Sequence, residues 1–347
     1  MNLNKRIEVL AFIGKYLKED TVAYQEIRQR AFLENKWFTP GYIYRSGKLI
    51  AENMLEKDLL MAFAERYAVG EEPEGKTIGL VMAGNIPYVG VHDMLCIFLS
   101  GFRQRIKPSS KDTIMVKNLI NMAALAFPGF EEMVVIDEML KGCDGYIATG
   151  NDNSARYFEY YFSKYPHVIR KNRTSVAVLD GTESQAALEA LADDIQLYFG
   201  LGCRNVTQVL VPEEYDFVPM LTALRKYDHY RDHEKYRNNF DYQLTIAIMN
   251  NRFYMSNDSI VLLENESPFS PISQLHYQFY SNKETAIAGL DKNKIQCIVG
   301  KDFIPFGEAQ HPGLSDFPDG VDTMKFLSSM GKQNVIQPIS QQKTNIR

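Results

Sequence analysis

Residues 77–99, TIGLVMAGNIPYVGVHDMLCIFL, decide how this chain reads. The run 77–83 is short, apolar and bounded by Gly75 and Gly84, which suits a strand buried on both faces, and 89–99 then reads as a helix. The alternation continues downstream. Residues 105–107 end a second strand, 112–127 form a helix, 133–136 and 146–149 are strands, and 153–162 is a helix. A further buried strand is expected at 175–179, then a helix at 185–199, a strand at 206–211, a helix at 217–227 and a more polar, strand-bearing stretch to Gly300. Upstream, Ile7, Leu10, Ile13 and Leu17 recur at helical spacing, and one helix is expected over 52–67. Such alternation predicts an α/β fold with mostly parallel sheets, helices on both faces and ligands at the carboxyl ends of the strands. The polar DGTES at 180–184 is the expected hinge, so a domain boundary is placed near Asp180.

Composition narrows the class. At 347 residues the chain exceeds the roughly 250–300 at which a single core stops growing, so two domains are expected. With 45% hydrophobic and 23% charged residues, disorder is excluded as the main state. A net charge of −5 argues against a protein built to neutralise nucleic-acid phosphates. The first twenty residues interleave apolar and charged positions, and no stretch approaches the roughly 18–20 apolar residues of a membrane span, so a cytoplasmic protein is expected. Cys96, Cys143, Cys203 and Cys297 stand far apart without CxxC pairing, as free thiols do.

Neither GxGxxG after the first strand nor GxxxxGK[ST] occurs, so a bound nucleotide would need another cradle. Three loops leaving strands offer one: 83–87 (AGNIP), 107–112 (KPSSKD) and 149–154 (TGNDNS). Each alone is a turn with an N-cap. Together on one strand edge they suggest a nucleotide site, the third at a helix start that favours anions and the second adding two lysines. Cys203 sits in GLGCRN (200–205) at a glycine-loosened junction between a helix and a strand. Its N–H is a candidate oxyanion donor and Arg204 is expected to lower the thiol pKa, although the position alone fits a small buried hydrophobe equally well. Cys96 and Cys297 read as small buried hydrophobes, and nothing surrounds Cys143. His229 and His233 lack a third ligand and read as a solvated face, so no metal site is expected. The aromatic run Tyr157, Phe158, Tyr160, Tyr161 and Phe162 reads as core packing. Sequons at Asn172, Asn205 and Asn257 carry no weight without secretion.

Six ordered blocks, AGNIP (83–87), KPSSKD (107–112), ATGNDNSARYF (148–158), RKNRTSVAVL (170–179), LGCRNVTQVLVP (201–212) and PFGEAQHPGLSDFPDGVDTMKFL (305–327), resemble the LuxC family of acyl-CoA reductases, a branch of the aldehyde dehydrogenase superfamily. The resemblance spans about 75–330. It implies an aldehyde-dehydrogenase-like fold of two α/β domains with the active-site cleft between them. Residues 1–180 would be a helical region plus the nucleotide-binding domain, 181–330 the catalytic domain and 331–347 a polar, frayed tail. By resemblance Cys203 is the nucleophile, Asn85 an oxyanion donor, and Lys107, Ser109, Ser110, Lys111, Thr149, Gly150 and Asn151 contact the cofactor. Many NAD-specific members carry glutamate where Ser110 stands; Ser110 with Lys111 therefore implies NADPH. Phe306, Gln310 and His311 are implied pocket residues without an assigned step.

Hydrolytic members place a glutamate where this chain has Ile169–Arg170–Lys171–Asn172–Arg173, and no carboxylate is available in that segment. The departure suits exchange of the acyl group with a thiol such as coenzyme A, and the cationic cluster, Arg170 included, is either a phosphate site or a solvated run. The expectation is NADPH-dependent reduction of an acyl-CoA, or an acyl-protein thioester, to the aldehyde. Two rivals are an acyltransferase or thioesterase using the same thiol without nicotinamide, and a non-catalytic scaffold of an acyl-transfer assembly. The resemblance also implies an acyl-protein synthetase as loading partner and a homo-oligomer.

Overall fold

The computed structural model describes residues 1–331. Apart from Gly331, the expected tail over 331–347 lies outside the described residues. Four helices open the chain: α1 (Leu3–Lys18), α2 (Val22–Glu34), α3 (Pro40–Met54) and α4 (Lys57–Arg66). Asn2, Thr21 and Thr39 cap the first three with side-chain oxygens that accept from Lys5, Tyr24 and Tyr42 N–H groups. The single helix expected over 52–67 is broken. Leu55 is buried at the break against Gly14 of α1, where even a Cβ would lie 2.8 Å from the Leu55 Cβ, and this packing turns the chain between α3 and α4.

The expected alternation then follows: β1 (Thr77–Val81), α5 (Val91–Leu99), β2 (Arg103–Lys107), α6 (Thr113–Ala126), β3 (Val134–Ile136), β4 (Gly145–Thr149), α7 (Asp152–Phe162) and β5 (His167–Arg170). All five strands are parallel, in the order β3-β2-β1-β4-β5. The chain leaves β1 for β2 on one side and returns to pair β4 on the other. This reversal is the switch point where open α/β sheets bind ligands. The helical opening is not a separate body: residues of α1, α3 and α4 share one core with β1, α5, β2 and α6.

The second half holds β6 (Thr174–Val178), α8 (Gln185–Gln196), β7 (Val206–Pro212), α9 (Val218–Leu224), α10 (Glu234–Met249), β8 (Met255–Ser256), β9 (Val261–Glu264), β10 (Gln274–Tyr280), α11 (Lys283–Ala288), β11 (Ile295–Gly300) and α12 (Thr323–Gly331). Its sheet has the order β11-β6-β7-β10-β9-β8, parallel except for the β8–β9 pair. Two expectations about organisation change here. β6 pairs with β7 and β11, so sheet membership changes over 171–173, ahead of Asp180. Residues from Leu314 onward do not stay with the second sheet either. Leu314, Phe317, Met324, Leu327 and Met330 bury their side chains in the first core, carrying the chain back across the molecule.

The aromatic run also differs. Tyr157, Tyr160 and Tyr161 are at least 66% exposed, while Phe162 stacks on Tyr146 and Phe158 on Phe162. At 3.6 residues per turn, α7 can turn only part of five near-consecutive rings toward the sheet. His233 caps α10, its Nε2 lies 2.8 Å from the Lys36 carbonyl, and its ring stacks on Trp37, so it is packed and not merely solvated. Among the described residues no helix is long and apolar enough to cross a membrane.

Candidate active site

A cleft of about 500 Å³ opens where the carboxyl ends of β1 and β4 face the loop carrying Cys203. It joins Asn85, Ser109, Lys111, Thr149, Gly150 and Asn151 with Cys203, Arg204, Gln310 and Arg170. Lys107, Ser110, Phe306 and His311 do not line it. Lys107 and Ser110 are exposed beside it; Phe306 packs on the second core, and His311 Nδ1 lies 2.9 Å from the Glu308 carboxylate.

The Cys203 loop is built by an unusual elbow. After α8, Tyr198, Phe199 and Gly200 all take left-handed conformations, with φ of 55°, 60° and 72°. Tyr198 and Phe199 tolerate this strain because their rings are buried among Tyr42, Trp37 and Tyr230. Asn205, fully buried, then stitches the loop: its Oδ1 accepts from Gly202 N–H at 2.8 Å, and its Nδ2 faces the carbonyls of Asp194, Ile195 and Leu197 at 3.1, 3.2 and 2.9 Å. Sequence reading passed over Asn205, since an amide that closes its own loop leaves no spacing signal.

The first sheet grips this loop directly. Asn85 Nδ2 donates to the Leu201 carbonyl at 2.7 Å, and Ile86 packs against Gly202. Asn85 thus reaches within two residues of Cys203 with one amide hydrogen left over. The Cys203 N–H meets no backbone acceptor among the described residues, and its carbonyl accepts from Ser175 Oγ at 3.0 Å. Two N–H donors beside one sulfur have the makings of an oxyanion hole. Ser175 Oγ also lies 3.0 Å from Cys297 Sγ. Cys297 is accordingly half-buried and polar-bonded, not the fully buried hydrophobe that IQCIVG suggested.

Electrostatics overturn one expectation. Burial pushes the Cys203 thiol up to about 11, the charge of Asp319 adds to the rise, and Arg204 opposes it without prevailing. Arg204 is partly spent elsewhere, its Nε donating to the Ala309 carbonyl at 2.5 Å.

The cationic cluster is also redistributed. Arg170 is buried with its guanidinium forked on Asp93 of α5: Nε to Oδ2 is 3.1 Å and Nη2 to Oδ1 is 2.8 Å. Thr323 Oγ1 bridges both partners, and Nη1 donates to the Pro318 carbonyl. Burial alone would raise the Asp93 carboxyl, but the Arg170 charge and hydrogen bonds hold it below the usual range. Lys171 pairs with Glu159, and Arg173 with Asp319. Arg170 is therefore a strut in the cleft floor, committed before any substrate phosphate arrives. Sequence alone showed four polar residues in a row; the partners of Arg170 lie 77 to 153 positions away.

The segment after β11 contributes two buried polar atoms without partners, Gln310 Nε2 and Asp319 Oδ2. Asp194 of α8 fixes the start of that segment, its carboxylate accepting from Gly307 and Ala309 N–H at 2.6 and 3.0 Å. Apolar lining comes from an unforeseen element: α3 supplies Leu49, Ile50 and Met54, positioned in part by Ser46 Oγ donating to the Pro87 carbonyl at 2.8 Å.

The donor set on the first sheet suits a phosphate-bearing dinucleotide. Gly84 lets the 83–87 loop close onto Ser109, since a Cβ there would run into that side chain. Asn151 caps α7 through Ser154 N–H, leaving the helix start to face an anion, and Lys111 has no ion-pair partner among the described residues. Among the same residues no group of three His, Cys, Asp or Glu side chains is placed to hold a metal.

The sequence matches no family model and no curated protein. Solved structures do resemble it. An NAD-dependent aldehyde dehydrogenase from Sinorhizobium meliloti superposes with a TM-score of 0.63 at 13% identity, over 86% of this chain and 70% of that one. A succinic semialdehyde dehydrogenase from Streptococcus pyogenes, in complex with NADP+, gives 0.62 at 15% identity over 82% and 74%. An NADP-dependent glyceraldehyde-3-phosphate dehydrogenase from Bacillus halodurans C-125, complexed with NADP, gives 0.60 at 14% over 86% and 74%. At such identities the likeness speaks for architecture alone, and the architecture of this chain is the aldehyde-dehydrogenase-like fold.

Proposed function

We propose that this protein reduces an acyl-CoA, or an acyl-protein thioester, to the aldehyde with NADPH, through an S-acyl intermediate on Cys203. The observation that carries the reading is the contact between the two halves: Asn85, from the loop after β1, holds the Leu201 carbonyl at 2.7 Å, setting its amide beside the Cys203 loop at the switch point of a parallel sheet. Cys203 attacks the thioester carbonyl, the developing oxyanion is met by the free Asn85 N–H and the Cys203 N–H, and its collapse breaks the bond to the original thiol, which leaves as coenzyme A or the carrier protein. The apolar wall of Leu49, Ile50 and Met54 receives the acyl chain and sheds its water. Ser109, Lys111, Thr149, Gly150 and Asn151 would hold the cofactor, with the α7 start at its phosphates. When bound, a reduced nicotinamide supplies hydride to the acyl carbon. Cys203 then departs as the thiolate and the aldehyde is released.

NADPH is preferred in this reading because Ser110 leaves no carboxylate to repel a 2′-phosphate and Lys111 brings an uncommitted positive charge to the cleft. An acyl-protein synthetase that supplies the acyl group belongs to the same proposal. Peptide mass spectrometry after incubation with an acyl-CoA, without nicotinamide, tests it. An acyl mass on the Cys203 peptide, absent from Cys203→Ala, is expected. Acylation that persists in that variant contradicts the assignment, and an adduct that passes only to water while NADPH is untouched favours a thioesterase.

A further inference from the structure

The chemistry above leaves the thiol proton without a destination. With the Cys203 thiol raised to about 11, only about one in ten thousand is ionised at pH 7, so attack on a thioester calls for a base at hand. The titratable groups of the cleft can be taken in turn. His92 has Nε2 3.0 Å from the Leu314 carbonyl and Nδ1 turned to Cys96 Sγ, and burial lowers its pKa. Asp93 has both oxygens on Arg170 and Thr323. Asp316 Oδ2 accepts from Gly313 N–H at 2.8 Å, and the residue is exposed. Lys111 is a cation at the cofactor end.

Of the acids lining the cleft, Asp319 alone keeps a buried carboxylate oxygen without a partner among the described residues. Its side chain is 9% exposed, its Oδ2 is buried without a partner, and Oδ1 lies 3.7 Å from Arg173 Nε. Its backbone is left-handed, with φ of 57°, in the turn Pro318–Gly320. That turn is pinned from two sides: Arg170 holds the Pro318 carbonyl, and the Asp319 N–H donates to Gln296 Oε1 at 2.8 Å. A doubly pinned aspartate in a left-handed turn that borders the cleft and keeps a buried carboxylate oxygen without a partner is a feature the fold needs a reason to keep. Asp319 lines the same cleft as Cys203, and its negative charge adds to the rise of the thiol pKa.

We propose that Asp319 is the proton acceptor for the Cys203 thiol, directly or through one water, and the proton donor to the departing coenzyme A thiolate. The inference rests on the thioester reading above. In the forward step the Cys203 S–H bond breaks, its proton passes to Asp319 Oδ2, and the sulfur forms a bond to the thioester carbonyl carbon. When the oxyanion collapses, the bond from that carbon to the coenzyme A sulfur breaks and the leaving thiolate takes the proton from Asp319. The carboxylate is regenerated, coenzyme A leaves as the thiol, and nothing is oxidised or reduced.

Asp319→Asn tests this, because asparagine suits the left-handed backbone and keeps the Arg173 contact. Two rates on the Cys203 peptide are read by mass spectrometry: acylation by an acyl-CoA at pH 7, and alkylation by iodoacetamide across pH. The groups facing the pair are Arg170, Arg173 and Asp93 around Asp319, and Arg204 and Cys297 around Cys203. All remain in the variant. Removing the Asp319 charge is expected to lower the alkylation midpoint, so that alkylation at neutral pH speeds up, while acylation slows by about 10²-fold or more. Opposite signs mark a proton acceptor, since a merely neighbouring charge would speed both. Asp316→Asn, in the same cleft, is expected to leave acylation within about twofold. Wild-type protein that is acylated while Asp319→Asn keeps pace overturns this inference alone. Wild-type protein that takes no acyl group overturns the thioester reading and this inference together.

Discussion

Arg170→Met separates a strut from a ligand-binding cation. The Arg170 and Asp93 side chains are 1% and 5% exposed, joined by a two-pronged fork, with Thr323 completing the set. Methionine fills much of the volume but leaves Asp93 buried with a single hydroxyl partner, and removing one member of such a pair costs about 3–5 kcal/mol. At about 2–4 °C per kcal/mol for chains of 150–250 residues, the melting temperature should fall by roughly 6–20 °C. The pH dependence has a definite sign. In the wild type Asp93 titrates below its unfolded value, so its contribution is present above that value and lost as pH falls through the folded one. In the variant burial prevails and the carboxyl titrates high, so the deficit should be largest near neutrality and shrink in acid. Asp93→Leu with Arg170→Met should recover most of the loss, since an apolar pair of similar volume replaces a buried ion pair at little cost. Thermal and denaturant unfolding followed by circular dichroism reads all four members of the cycle. A single variant within about 1 kcal/mol of wild type, or a double variant no better than the sum of the singles, would refute the strut.

Asn85→Ala should slow Cys203 acylation by about 10²–10³-fold in a single-turnover assay, and a change confined to substrate affinity would contradict its place at the oxyanion. Lys111→Glu should cut kcat/KM for NADPH by about 10–100-fold and spare NADH; equal losses with both would remove the argument for a 2′-phosphate contact. Burial raises Asp194 from 3.8 to about 6, so its contribution to stability is full below pH 3.8 and is lost as pH rises through 6. Over that window it should withdraw about 3 kcal/mol of unfolding free energy, and Asp194→Asn should flatten that part of the profile in denaturant titrations at pH 4 to 7.

The sheet of the first half was legible because buried parallel strands are written as short apolar runs, as in β1, β4 and β6. β5 escaped because HVIR at a sheet edge carries an arginine whose burial depends on Asp93, 77 residues earlier. α10 escaped because EKYRNNFDYQLTIAIM mixes β-branched and charged residues around the helix and buries only Tyr236, Phe240 and Ala247. At the site, Cys203, Asn85 and residues 149–151 lie in loops whose local patterns stand out in the sequence, and the cleft gathers them. Arg170, Asp319 and Asn205 were not recoverable. What each does is set by partners that the fold brings in: a remote carboxylate for the first, an arginine strut and a folded-back segment for the second, its own loop's amides for the third. Arg204 shows the converse: adjacency in sequence suggested thiol activation, and desolvation outweighed it.

The most direct measurement follows reduced-nicotinamide absorbance when the protein is mixed with NADPH and a panel of acyl-CoAs, with aldehyde quantified alongside. Oxidation of one NADPH for each aldehyde formed with at least one acyl-CoA, abolished in Cys203→Ala, is the predicted result. Wild-type protein that leaves NADPH untouched with every thioester, or a Cys203→Ala variant that consumes it at the wild-type rate, would contradict the account.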